Sequence, residues 1–85
     1  MRMEVTAMDE KQTLLNALRE IRDDVDFAHE TALVEDGLID SLDLTQIIAV
    51  LDELFSAHIP AGEIEPENFN SVDAMLALAH HYQTR

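Results

Sequence analysis

The residues best placed to do chemistry lie together near the middle of the chain, in Asp40-Ser41-Leu42. A serine hydroxyl becomes a nucleophile when a base stands within hydrogen-bond reach of it. The chain has four histidines, His29, His58, His80 and His81, and the sequence fixes none of them beside Ser41. Its two glycines, Gly37 and Gly62, leave it without the G-x-S-x-G elbow of a hydrolase. No catalytic residue is assigned on these grounds. The same triplet reads as a helix start, because Asp or Ser ahead of an apolar helical run accepts a hydrogen bond from a free backbone N–H. A serine at a helix start, straight after a long loop, should expose its hydroxyl. The free N–H groups and the dipole at such an end also favour a phosphate.

Two other constellations are weighed and set aside. Asp24, Asp26 and Glu35 fall at positions 1, 3 and 12 of a possible calcium loop, but its sixth position would be His29 where glycine is required. His80 and His81 are neighbours, so on a helix they point about 100° apart and cannot share a metal ion. No metal site is expected.

The elements that must position Ser41 follow from the hydrophobic periodicity. Leu14, Leu18, Ile21 and Val25 recur at helical spacing, with Leu15 beside them, and predict a first helix over about 9–21. From Asp23 to Ile39 there is no sustained period. A loop of that length in a small domain is often functional, with Phe27, Leu33, Leu38 and Ile39 as its anchors. A second helix starts at Asp40 or Ser41 and runs to about Ser56. Leu44, Ile48, Leu51 and Phe55 form its core stripe, widened by Ile47 and Leu54. The opposite face holds Leu42, Gln46, Ala49 and Glu53, with Asp43 and Val50 on its flank. This face, an apolar strip rimmed by acids, is a candidate docking surface. Pro66 opens a short helix to Phe69, and Ser71 caps a last helix to about Tyr82. Val72, Met75, Leu76, Ala79 and Tyr82 form the buried stripe of that helix. There is no strand candidate. The expectation is an all-α bundle of three main helices and one short one, a single domain over 1–85 with about 1–8 as a flexible N-terminal extension.

Charge bounds the partners. Eighteen acids face five bases, for a net charge of −13. Such a surface repels nucleic acid and anionic lipid and attracts basic protein surfaces. The chain has no cysteine, so it has neither a disulfide nor a thiolate of its own, which suits a reducing cytoplasm. Residues 1–8 lack the basic start and apolar stretch of a signal peptide. The apolar runs Ile47–Leu51 and Ala74–Ala79 are too short to span a membrane. A cytoplasmic monomer is expected.

The stretch Leu33-Val34-Glu35-Asp36-Gly37-Leu38-Ile39-Asp40-Ser41-Leu42-Asp43 resembles the attachment region of acyl carrier proteins. In that family Asp-Ser-Leu opens the second helix. The resemblance continues through the acidic second helix, Ile59-Pro60 and Pro66-Glu67-Asn68-Phe69-Asn70-Ser71-Val72, and so covers about 9–82. It implies an acyl-carrier-protein-like bundle that is not an enzyme. Ser41 would carry 4′-phosphopantetheine, received from coenzyme A, between Asp40 and Leu42. Acyl or aminoacyl cargo would ride on the arm as a thioester. A phosphopantetheinyl transferase and the activating and transferring enzymes would be the partners, docking on Asp43, Gln46, Ala49, Val50 and Glu53. Gln46 and Ala49 depart from carriers of the fatty-acid type, which usually have an acid and often Met there. Gly37-Leu38-Ile39 and Pro66-Glu67-Asn68-Phe69 look closer to discrete carriers of specialised pathways, such as the D-alanyl carriers. A fatty-acid carrier, and an acidic helical adaptor in which Ser41 is only an N-cap, are the alternatives.

Overall fold

The computed structural model describes residues 7–83. It contains α1 (Ala7–Ile21), α2 (Ser41–Phe55), a 3-10 turn (Ala61–Glu63), α3 (Pro66–Phe69) and α4 (Val72–Tyr82). Among the described residues there is no strand, only an isolated bridge between Ala57 and Gln83. Three main helices and a short one form the expected all-α bundle. α1 takes in Ala7 and Met8, two residues of the stretch expected to be an extension. The remainder of that stretch lies outside the described residues.

α1 packs against α2 and α4, α2 against α4, and α3 against α4. The core draws Leu14 and Leu18 from α1, Ile47, Leu51 and Phe55 from α2, Phe69 from α3, and Val72, Met75 and Ala79 from α4. Each large side chain removed from water in this way contributes about 1.5–3 kcal/mol. The long connection between α1 and α2 holds only turns, and Phe27, Leu33 and Ile39 bury their side chains in the core. These three contacts stand in for the missing secondary structure. Gly37 takes a left-handed backbone (φ +71°) in this connection, where a Cβ would have open space but a strained backbone.

The faces of two helices differ from the periodicity. On α2 the buried row is Asp43, Ile47, Leu51 and Phe55, whereas Leu44 and Ile48 are half-buried and Leu54 is exposed. The helix is turned so that the Asp43 side, expected on the outer flank, faces inward. A buried carboxylate is tolerated there because a cation meets it, as described below. On α4, Leu78 joins the buried row, while Leu76 and Tyr82 are only half-buried. Three helices pack on α4, so its buried sector is set by more than one neighbour.

α2 ends at Ser56, a left-handed C-cap (φ 54°) whose N–H bonds Asp52 O at 2.9 Å. The 3-10 turn was not expected from the sequence. Its Glu63 accepts from the Tyr82 hydroxyl and from Asn68, so it ties the α2–α3 connection to the end of α4. That bond to a carboxylate holds the Tyr82 phenol above its ordinary pKa.

Candidate functional site

The start of α2 is capped by Asp40, not by Ser41. Asp40 has extended backbone (φ −113°, ψ −174°), and its Oδ1 accepts from the Asp43 N–H at 2.9 Å. Asp43 Oδ2 accepts in return from the Asp40 N–H at 3.1 Å. This reciprocal pair is a capping box. Asp40 is exposed, and the Asp43 N–H, its first cause, holds its carboxyl below the ordinary range.

Ser41 is therefore the first residue inside the helix. It is exposed, and its hydroxyl has no hydrogen-bond partner among the described residues; its carbonyl accepts from the Thr45 hydroxyl at 3.0 Å. The reading in which Ser41 serves only as an N-cap is corrected by this geometry: capping is done one residue earlier. The helix-end argument for a phosphate also loses weight, because the Asp40 carboxylate already uses that end. What singles out Ser41 is a free, solvent-facing hydroxyl on a fixed backbone.

The histidines do not serve Ser41. His29 pairs with Asp26 at 3.0 Å, His58 with Asp52 at 3.1 Å and His80 with Glu10 at 2.9 Å. The His81 ring stands edge-on to Tyr82. Asp24 and Asp26, from the rejected calcium loop, are engaged by Arg22 and His29. Among the described residues no cluster of three metal-ligating side chains is present.

On the outer face of α2, Leu42 is 65% exposed, and Gln46, Ala49 and Glu53 are exposed in line with it. Their spacing of four, three and four residues keeps them on one stripe. Val50 is half-buried and packs on the core, so it borders the stripe. Asp43 does not belong to this surface at all, being 6% exposed with its carboxylate turned inward.

Two residues of the site were not singled out by sequence reasoning. Arg22 Nη1 donates to Asp43 Oδ2 at 2.8 Å, and its Nε and Nη2 fork onto Asp24 at 3.0 and 2.9 Å. Asp24 first, then Asp43, hold the guanidinium above its ordinary pKa, and Arg22 holds the Asp24 carboxyl below its own. Asn70 Oδ1 accepts from the N–H groups of Val34 and Glu35 at 2.9 and 3.1 Å, and its carbonyl accepts from the Leu33 N–H at 3.0 Å. Leu33 O in turn takes the Leu38 and Ile39 N–H groups. The segment leading into Asp40 is thus fastened from the α3–α4 junction. The Asp40–Asp43 spacing was a legible capping signal. Arg22 and Asn70 carried none for the site, because Asp43 lies 21 residues from Arg22 and Val34 lies 36 from Asn70.

A helical bundle that presents one unpartnered serine at a capped helix start is the class of protein this site defines. D-alanyl carrier proteins of Streptococcus suis strains 98HAH33 and 05ZYH33 are each 28% identical over 71 residues, covering 82% of this chain and 90% of theirs. Both are carriers by name, so the likeness supports a non-catalytic carrier role. No family model and no solved structure matches the chain.

Proposed function

We propose that this chain is a carrier protein with 4′-phosphopantetheine attached to Ser41, flanked by Asp40 and Leu42. One observation carries the reading: the Ser41 hydroxyl is exposed and unpartnered because Asp40 does the capping. In the attachment reaction Ser41 Oγ loses its proton to the transferase and forms a phosphodiester, while adenosine 3′,5′-bisphosphate leaves coenzyme A. Once attached, the group supplies a terminal thiol, absent from a chain without cysteine, that holds cargo as a thioester. The protein's residues supply placement and recognition. Tethering raises the concentration of cargo at a partner's active site.

The names of the relatives favour an aminoacyl cargo, and so a specialised pathway, over fatty-acid synthesis. Gln46 and Ala49 point the same way. Partners are enzymes with basic docking surfaces, drawn by the net charge of −13 and seated on Leu42, Gln46, Ala49 and Glu53, with Val50 at the edge. Asp43 is left out of this surface because it is buried. Among the described residues no helix is long and apolar enough to cross a membrane. A cytoplasmic monomer that binds no nucleic acid and does not insert into a membrane is the accompanying reading.

Intact mass before and after incubation with coenzyme A and a broad-specificity phosphopantetheinyl transferase tests the proposal. The expected result is the gain of a single phosphopantetheine unit in the wild type and none in Ser41→Ala. No gain, in a folded wild type shown to start unmodified, would overturn the carrier reading and favour an adaptor.

A further inference from the structure

We infer that Arg22 is a positioning residue for Ser41, acting through the buried Asp43 carboxylate to hold the start of α2 in the register that leaves the serine hydroxyl free. The inference rests on the carrier reading for its consequence, but the geometry stands without it.

Arg22 follows α1 directly, and its N–H still bonds Leu18 O at 3.0 Å, so its backbone is set by the helix. Asp24 takes the fork formed by Nε and Nη2, which leaves Nη1 aimed at Asp43. A fork gripped from one side fixes the plane of the guanidinium. Asp43 is the buried charged side chain of the described structure. The oxygen that receives Arg22 Nη1 also receives the Asp40 N–H. The relay runs from α1 through Arg22 and Asp43 to the backbone of Asp40, the residue that carries Ser41.

Removing the cation leaves a carboxylate buried without its charge partner, a costly state that is relieved by swinging Asp43 out to water. The capping box then opens. Ser41 is itself a good N-cap type, and the chain already uses a serine in that way at Ser71, whose hydroxyl accepts from the Ala74 N–H at 3.1 Å. A slip of the helix start by one residue would turn Ser41 into the cap, occupy its hydroxyl and move its backbone. Gln46, Ala49 and Glu53 of the outer stripe lie a turn or more further along the helix, so all of that docking stripe except Leu42 is spared. The expected signature is a slower attachment step with unchanged partner binding.

The test compares wild type, Arg22→Gln, Arg22→Lys, Asp43→Asn and the Arg22→Gln/Asp43→Asn pair. Arg19→Gln, an exposed cation on α1, serves as the control for net charge. Two readouts are taken at a temperature where circular dichroism shows every variant folded. In phosphopantetheinyl transfer, kcat should fall roughly 10-fold to 100-fold in Arg22→Gln with KM unchanged, as expected for a misplaced reacting group. Arg22→Lys should recover part of the loss and Arg19→Gln should match wild type. The double variant should be no slower than the worse single variant, since both act on one relay. In amide hydrogen exchange of the unmodified chain, the Asp43 N–H should lose protection in Arg22→Gln while the Ala74 N–H keeps it. Wild-type kcat in Arg22→Gln, or unchanged exchange at Asp43, overturns the inference. A rise in KM with kcat unchanged also overturns it, because that places Arg22 in docking. Should the wild type not be modified at all, the carrier reading fails, and the exchange readout still decides the relay.

Discussion

Two helix starts in this chain carry nearly the same four residues, Asp40-Ser41-Leu42-Asp43 at α2 and Asn70-Ser71-Val72-Asp73 at α4, and they cap in different registers. At α4 the serine is the cap, and its hydroxyl is spent on the Ala74 N–H. At α2 the preceding aspartate is the cap, and the serine one step inside keeps its hydroxyl free. The third acid differs as well. Asp43 falls at the third helical position and closes the capping box, whereas Asp73 falls at the second, stays exposed and pairs with Lys11 at 3.1 Å. The residue ahead of the serine differs in the same sense. Asp40 serves its own helix, while the Asn70 side chain reaches back 36 residues to the segment that leads into Asp40. Sequence likeness between the two starts thus conceals a division of labour, in which one start is built to be held and the other does part of the holding.

Breaking the bracing should have the largest effect on stability. Asn70→Ala removes the acceptor of the Val34 and Glu35 N–H groups, of which Val34 is half-buried. The expected loss is about 1–3 kcal/mol. In a domain of this size each kcal/mol lowers Tm by about 4–8 °C. Asn70→Asp retains the accepting oxygen and should recover much of the loss. An Asn70→Ala variant that melts with the wild type would show that the loop holds itself.

The two serines should separate stability from modification. Ser71→Ala removes a helix cap and should cost about 1 kcal/mol in urea unfolding. It should leave attachment of phosphopantetheine intact. Ser41→Ala removes an exposed hydroxyl without a partner and should change stability by about 0.5 kcal/mol or less, while abolishing attachment. If Ser41→Ala costs as much as Ser71→Ala, both serines cap and the comparison fails.

The parts of this arrangement that sequence reading could reach were the local ones. Apolar spacing located α1, α2 and α4, Pro66 marked the start of α3, and Ser71 was legible as a cap because its bond spans three residues. Ser41 was singled out by its place before an apolar helical run. The register of capping at α2 stayed open, since Asp40 and Ser41 are both good caps and the choice depends on Asp43 being drawn inward by Arg22. The inward turn of Asp43 was missed for the same reason: an acid on a helix flank reads as solvated until its cation is known. Arg22 and Asn70 act over long separations, where one chain offers no periodic signal. Leu78 and the half-burial of Leu44 and Ile48 depend on how three helices crowd together, which a single-helix stripe cannot show.

The smallest effect expected is also the most selective, because the two caps differ in whether they can titrate. The Asp40 carboxyl is held below its ordinary pKa by the Asp43 N–H, and the Asp24 carboxyl by Arg22. A carboxyl whose folded pKa is depressed adds stability that is fully present above its unfolded value, about 3.9, and is lost as pH falls through the folded value. The start of α2 should therefore loosen below about pH 4, as the Asp40 and Asp24 carboxylates take up protons. The Ser71 hydroxyl does not titrate in this range, so the hydrogen bond it accepts from the Ala74 N–H is not lost by protonation of the cap. Per-residue amide exchange from neutral to acid pH, at equal global stability, should show the Asp43 N–H losing protection before the Ala74 N–H. Asp40→Asn keeps an accepting side-chain oxygen without the titration, and should delay the loss at Asp43 while leaving Ala74 unchanged. Simultaneous loss at both amides in the wild type would mean that the acid response is global unfolding, and that the two starts are coupled more tightly than their separate caps imply.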